Sequence, residues 1–278
     1  MKGVPRKTTT FSPGPSSMIK PGELIDIVEV TPLKLSDRRI YNLLIRHAWD
    51  RIEEPVEHAI AKKKLRGSHN VNARVDESVL RLMGAVAEIR VEADGEASVL
   101  RVQLLGSNVE QCRRDGMLYY RFPDELRRVI KESRVFARLQ TDVMFALSSK
   151  YGLALYEMVQ KRGNLEHIWF EDFPLERLRA LLGVPPGKLT AFKNLNRWAL
   201  QPAIAEVNSL SDFGVEAAAV LEGRRVVAVR LAWRRKTEAE LKAAFATLRD
   251  RVPDPLRRPG THTGHTLSAI KSLTKLAG

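Results

Sequence analysis

The chain has 278 residues, 46 Lys+Arg against 33 Asp+Glu for a formal charge of +13, and 44% hydrophobic residues. This balance excludes a disordered or collagen-like chain, and the length supports one large domain or two of roughly 100–150 residues. Cys112 is the only cysteine, which excludes a disulfide scaffold, and no apolar run approaches the roughly 18–20 residues of a membrane span, so a soluble protein of a reducing cytoplasm is expected.

Residues 1–22 read as a flexible basic arm, because Thr8–Thr10 and then Pro13, Gly14, Pro15 and Pro21 leave nothing periodic to bury. They also lack the apolar stretch of a signal peptide. Leu24–Val30 is β-like. Ser36 or Asp37 is expected to cap a helix running to about Asp50, with Ile40, Leu43, Leu44 and His47 on one face. Ala59–Ile60 is a short strand candidate. Two short helices are expected at Lys62–Ser68 and Val75–Met83, joined by His69-Asn70-Val71-Asn72. Val86–Val91 and Val99–Leu104 flank Asp94-Gly95, a strong hairpin signal. Helices followed by a two-stranded ribbon make a winged helix-turn-helix.

The pattern then recurs. A strand over Met117–Phe122, a helix over Pro123–Glu132 and a strand over Val135–Gln140 lead into one long helix from Thr141 or Asp142 to Arg162. Met144, Leu147, Tyr151, Leu155 and Met158 would face inward. Pro174–Leu182 is a short helix stopped by Gly183, Pro185-Pro186-Gly187 a turn, and Leu189–Leu200 a helix continued or kinked at Pro202. A ribbon follows from Val215 to Val220, turning at Glu222-Gly223 and returning along Val226–Trp233. An exposed helix over Lys236–Asp250, a linker over Pro253–Gly264 and a short amphipathic helix over Thr266–Leu276 complete the chain. The fold class is therefore α+β: two tandem winged-helix domains with flexible basic arms at both ends. Their bounds are 1–22 for the arm, 23–132 and 133–236 for the domains, and 237–278 for a helix and tail.

The excess charge lies at the two ends. Residues 21–223 hold 29 basic and 29 acidic side chains, whereas 224–278 hold 13 basic and 4 acidic. Such asymmetry suits a polyanion, whose counterions are released as phosphates are neutralised; a merely solubilising surface needs no partner. A membrane partner is disfavoured, since the basic segments lack a long apolar face. In a helix-turn-helix the helix after the turn reads base edges. Leu189, Phe192, Leu195 and Ala199 fall on its inward stripe, and Thr190, Lys193, Asn194, Arg197 and Gln201 on the other, as candidate base readers. A solvated face would also be polar, but it usually mixes both signs, and Glu176 is the only acid between Asp172 and Glu206. Lys188, with Arg224 and Arg225 at the ribbon tip and Arg234, Arg235 and Lys236 at its exit, are candidate phosphate contacts. Arg66, His69, Asn70, Asn72 and Arg74 form a weaker set in the first unit, diluted by Asp76 and Glu77.

Three motifs add a resemblance. Ser149-Lys150-Tyr151…Leu155-Tyr156-Glu157, Phe173-Pro174-Leu175…Leu178-Arg179…Leu182-Gly183, and Leu200…Pro202-Ala203-Ile204…Glu206-Val207-Asn208 occur in this order. With them the chain, from about Leu24 to Trp233, resembles the RepA/RepB/RepE-type plasmid replication initiators. The resemblance implies two winged-helix domains related by a pseudo-twofold, the second of which supplies the main reading helix, mapping onto Lys188–Gln201. It implies binding of double-stranded DNA at origin direct repeats (iterons) as a monomer, and of an inverted-repeat operator as a self-dimer that represses its own gene. DnaA, the replicative helicase and the sliding clamp of the host are the partners it implies, although no clear clamp-binding pentapeptide occurs here. Tyr151, Leu155, Tyr156 and Asn208 read as structural rather than DNA-contacting.

Catalytic chemistry finds no support in the residues. Gly183–Lys188 is one residue short of a phosphate-binding loop and is rigid with proline. His262-Thr263-Gly264-His265 has the wrong spacing for the metal of a rolling-circle nicking enzyme, and all five tyrosines lie at or before Tyr156. No enzyme, metal or cofactor is expected. A nicking replication enzyme and a winged-helix transcription regulator are the alternatives.

Overall fold

A computed structural model describes residues 6–66, 72–93, 95–113, 116–165 and 167–251. The chain opens with strand β1 (Ser17–Pro21), then β2 (Val28–Glu29), helix α1 (Leu35–Ala48), β3 (His58–Ala61) and a 3-10 turn at Lys62–Lys64. Helix α2 (Asn72–Gly84), the hairpin strands β4 (Val86–Ala93) and β5 (Glu96–Gln103), β6 (Asn108–Glu110) and β7 (Met117–Tyr120) follow. Next come α3 (Asp124–Glu132), β8 (Phe136–Gln140), α4 (Thr141–Ala146) and α5 (Lys150–Arg162). The remaining elements are β9 (Phe170–Pro174), α6 (Leu175–Leu181), α7 (Phe192–Leu195), a π-helical turn at Asn196–Leu200, α8 (Gln201–Leu210), β10 (Phe213–Glu222), β11 (Arg225–Arg235) and α9 (Glu238–Arg251).

Each wing is an antiparallel ribbon carrying a third strand. β4 pairs with β5 from Val86↔Gln103 to Ala93↔Glu96, and β2 joins β4. In the second wing β10 pairs with β11 from Phe213↔Arg235 to Glu222↔Arg225, and β9 pairs with β11 on the far side. Gly95 and Gly223 take φ of +77° and +62° at the two turns, a conformation that glycine adopts without Cβ strain. The expected hairpins are present; β6 and β9, both short and poor in β-branched residues, had no sequence signal.

The arm expected at residues 1–22 is corrected over its described part. Thr8 is buried, and all five residues of β1 are buried and pair antiparallel with β8, from Ser17↔Gln140 to Pro21↔Phe136. Met18 and Ile19 are fully buried, each worth about 1.5–3 kcal/mol of apolar transfer. Lys20, within the expected basic arm, lies 4% exposed and donates to Glu157 Oε2 at 2.8 Å. Glu157 also accepts from Asn42 Nδ2 at 2.7 Å. These contacts join segments on either side of the 132/133 boundary placed from the sequence.

Helix boundaries differ where side chains cap. Asp37 acts from inside α1: its carboxylate accepts from the Lys34 N–H at 2.9 Å, so the helix begins at Leu35. Arg81 Nη2 donates to the same carboxylate at 2.9 Å and ties α2 to α1. The single helix expected over 141–162 is broken at Leu147–Ser149. Ser149 Oγ accepts from the Gly152 N–H at 2.9 Å and caps α5. Ser148 N–H and Oγ and Ser149 Oγ donate to Glu206 of α8, at 2.7, 2.5 and 3.0 Å. The expected inward residues Met144, Leu147, Leu155 and Met158 are buried, and Tyr151 is partly so. Tyr156 is fully buried, with its hydroxyl accepting from the Gln140 N–H at 2.8 Å. His47 is exposed rather than inward, with Nδ1 3.1 Å from Tyr120 Oη.

The two halves share one continuous apolar core. Asp26 cements the junction by accepting from Lys161 Nζ at 2.8 Å and Arg162 Nη1 at 3.0 Å. Burial pushes the Asp26 carboxyl up, but Arg162 and Lys161 outweigh it and hold the group below its ordinary value. α9, expected as an exposed helix, packs on α8 with Ala244 and Leu248 buried. The linker and amphipathic helix expected over 253–276 lie outside the described residues.

Candidate nucleic-acid interface

The second helix-turn-helix is α6, a turn, and the helical run 192–210. Gly183 and Gly187 take φ of +69° and +74°, and Leu189 takes +47°. Arg179 fixes the turn to α6: its guanidinium, 7% exposed, donates to the carbonyls of Lys188, Leu189 and Thr190. The helix following the turn therefore starts at Phe192 and not at Leu189. Thr190 is exposed in the turn ahead of it.

Inside the run, Pro202 sets the geometry. Its ring carries no N–H and would clash with the carbonyl four residues back. The backbone widens to a π turn over Asn196–Leu200, and the Gln201 N–H donates to the Asn196 carbonyl five residues earlier. The faces fall as the spacing predicts. Leu195 and Ala199 are fully buried, and Phe192 and Leu189 pack partly on the core. Lys193, Asn194, Arg197 and Gln201 are exposed. Gln201 Nε2 donates to Asn196 Oδ1 at 3.2 Å, and the Arg197 guanidinium lies 4.8 Å from the Trp198 ring centre. Trp198, counted on neither of the two stripes expected from the spacing, is 60% exposed beside these groups.

The basic residues of the second unit divide into paired and unpaired. Arg230 is bidentate to Asp172 at 2.7 Å, Arg234 pairs with Glu240 at 2.6 Å, and Arg235 pairs with Asp212 at 2.6 Å. Lys236 is half-buried and donates to the carbonyls of Asn208 at 2.5 Å and Ser211 at 2.6 Å. Burial holds its ammonium below the ordinary value. The three residues at the ribbon exit, expected as phosphate contacts, thus serve intramolecular partners: adjacent acids at 212 and 240 satisfy both arginines. Among the described residues no carboxylate pairs with Lys188, Lys193, Arg197, Arg224 or Arg225, all of which are exposed. These lie on the turn, the helical run 192–210 and the ribbon tip. Asn208 is structural, with Nδ2 donating to the Val215 carbonyl at 2.9 Å and Oδ1 accepting from the Val215 N–H at 2.7 Å.

In the first unit the expected helix at 62–68 is a 3-10 turn. Lys62 is buried there and paired with Asp76 at 2.7 Å and Glu110 at 2.9 Å. Lys63, Lys64 and Arg74 are exposed, while Arg66 is half-buried and engaged within the fold. Asn72 opens α2; His69 and Asn70 lie outside the described residues. Among the described residues no group of three His, Cys, Asp or Glu could hold a metal ion, and no helix is long and apolar enough to cross a membrane.

Two helix-turn-helix units, each with a ribbon, define a tandem winged-helix protein. The family descriptions "Initiator Replication protein, WH1" and "Initiator Rep protein, WH2" match residues 18–160 and 174–233, so the chain belongs to the initiator Rep protein family of replication initiators. The first match begins inside the expected arm and runs past the 132/133 boundary. Among solved structures, the chain is similar to the Pi initiator protein in complex with iteron DNA. The two are 15% identical with a TM-score of 0.54, over 80% of this chain and 98% of that one. A second similar structure, domains 2 and 3 of RctB, is 10% identical with a TM-score of 0.40, over 82% and 98% of the two chains. No curated protein sequence matches.

Proposed function

We propose that this initiator binds the direct repeats of a plasmid origin as double-stranded DNA and reads their sequence with the helical run 192–210. It acts by binding and opening DNA rather than by cleaving it. The observation that carries this reading is the separation of charge. Arg230, Arg234 and Arg235 of the second wing are paired with carboxylates, whereas Lys188, Lys193, Arg197, Arg224 and Arg225 face solvent with no carboxylate partner, on the three elements a winged helix offers to a duplex. Asn194 and Arg197 carry the amide and fork that bond two atoms of one base edge, and Gln201 extends the set. Thr190 and Lys188 are exposed in the turn ahead of the helix, so in this reading both meet the phosphate backbone, Thr190 in place of the base contact expected of it. Arg224 and Arg225 reach phosphates from the ribbon tip. In the first unit Arg74, with Asn72 at the start of the same helix, makes the secondary contact. The iteron complex of the Pi initiator supports duplex DNA as the ligand for the fold.

Two substitutions test the reading on origin and random duplexes. Arg197→Ala should cost roughly 1–3 kcal/mol on the origin repeat and much less on random DNA. Arg224→Ala should weaken both about equally and lower the salt slope by roughly one. Equal losses on both duplexes for Arg197→Ala would remove this helix as the reader. A covalent protein–DNA product or a site-specific nick in supercoiled origin plasmid with Mg²⁺ would overturn the non-cleaving mechanism.

A further inference from the structure

We propose that Trp198 is a specificity-determining contact, packing its indole on the C5-methyl of a thymine next to the base pair taken by Arg197. The inference rests on the DNA-reading function given above and deepens it. Trp198 is 60% exposed, between a helix face of polar side chains and the buried pair Ala199 and Leu200. It stands four residues after Asn194 and three before Gln201, so it shares their stripe. The π turn forced by Pro202 runs through it, widening the helix where these side chains project. Its ring is held by the Arg197 guanidinium 4.8 Å from the ring centre, so the two side chains present one joint surface, charged on one side and apolar on the other.

A large exposed aromatic calls for an apolar occupant, and its surroundings say which. Lys193 and Arg197 flank it, and no Asp or Glu occurs between Glu176 and Glu206, so the surface suits a polyanion rather than a basic partner. Within a duplex, the apolar group exposed in the major groove is the thymine methyl. A guanidinium on guanine and an indole on the neighbouring methyl then read adjacent base pairs with adjacent residues.

The test measures binding of the wild-type chain, Trp198→Ala and Trp198→Phe to an origin repeat and to a series in which each thymine in turn is replaced by deoxyuridine, which lacks only the methyl. Wild type should lose about 3- to 5-fold at one thymine, the value of one buried methyl group. Trp198→Ala should bind the repeat roughly tenfold more weakly or worse and be indifferent to deoxyuridine at that same position, a coupling that the double-mutant cycle reports. Trp198→Phe should retain part of the sensitivity. Unchanged melting transitions of both variants establish that they fold. If Trp198→Ala keeps wild-type affinity, or keeps the full deoxyuridine sensitivity at every position, the methyl contact is overturned while repeat recognition stands. If wild type itself fails to prefer the repeat over random DNA, the DNA-reading function falls first.

Discussion

Replacing Glu157 by Leu removes the acid from a buried triad and leaves Lys20 without its counter-charge. Both side chains of the ion pair are nearly inaccessible, at 5% and 3%, and the Nζ–Oε2 distance is 2.8 Å. Asn42 loses its 2.7 Å carboxylate acceptor at the same time, although its amide keeps Met144 Sδ at 3.2 Å. Breaking one side of such a pair costs about 3–5 kcal/mol, because the remaining ion is buried and uncompensated. Burial already holds the Lys20 ammonium below its ordinary value against the pull of Glu157, so further loss of the acid drives it toward the neutral form. Lys20→Met alone should cost a similar amount by stranding the carboxylate. The double variant Lys20→Met/Glu157→Leu removes both ions and should recover most of the loss, down to the roughly 1–3 kcal/mol of the Asn42 amide. Urea unfolding of the four proteins supplies the cycle. Single variants that each cost under about 1 kcal/mol would mean that β1 does not lie in the core and that Lys20 is a solvent cation.

Gly183→Ala should cost at least about 1–2 kcal/mol for its positive φ, and more because a Cβ there meets Glu29 Oε2 at 2.9 Å and the Arg38 guanidinium. Gly187→Ala, with φ +74° and open space around it, should cost only the backbone part; equal losses in urea melts would refute the packing. Pro202→Ala restores an N–H and lets the π turn tighten, turning Gln201 away from the stripe of Asn194 and Arg197. Repeat affinity should fall about tenfold, roughly 1.4 kcal/mol of a bidentate contact, with no loss of thermal stability. An unchanged affinity would detach helix widening from DNA reading. His58 is buried with Nε2 lacking a hydrogen-bond partner, and burial, together with His47 and Arg51, holds its imidazole below the ordinary value. The unfolded chain therefore binds the proton more readily, so stability is full above about pH 6.5 and falls as the pH drops below it. Melting curves from pH 7.5 to 5 should show that slope, and His58→Gln should flatten it; a flat wild-type profile would refute the burial.

Much of this arrangement was legible in residue order. The hairpins declared themselves through alternating Val, Ile and Leu around Asp94-Gly95 and alternating Val, Leu and Trp around Glu222-Gly223, and the helix after the turn through the opposition of Leu195 and Ala199 to Lys193, Asn194 and Arg197. What was not legible depended on partners distant in sequence. β1 reads as a proline-bounded linker because its apolar content is only Met18 and Ile19, and its strand form is fixed by β8. The break at Leu147–Ser149 follows from a serine cap and from Glu206, neither of which disturbs a 3.6-residue apolar repeat. At the interface, residue type identified the cations but not their engagement. Arg234 and Arg224 are alike in sequence context, and only the fold brings Glu240 to the first.

The pairing of β1 with β8 also governs the order in which the molecule is assembled during synthesis. Lys20 and Glu157 are 137 positions apart, so the N-terminal strand leaves the ribosome long before its partner strand or its counter-ion exists. Until β8 and α5 have emerged, β1 has no strand to pair with and Lys20 has no counter-ion, whatever local helices have formed upstream. Closing so long a loop is a slow, entropically opposed event that local contacts cannot anticipate. The first winged helix, matched over residues 18–160, thus completes only once its own last helix has been made, just before the second, matched over 174–233, begins to emerge.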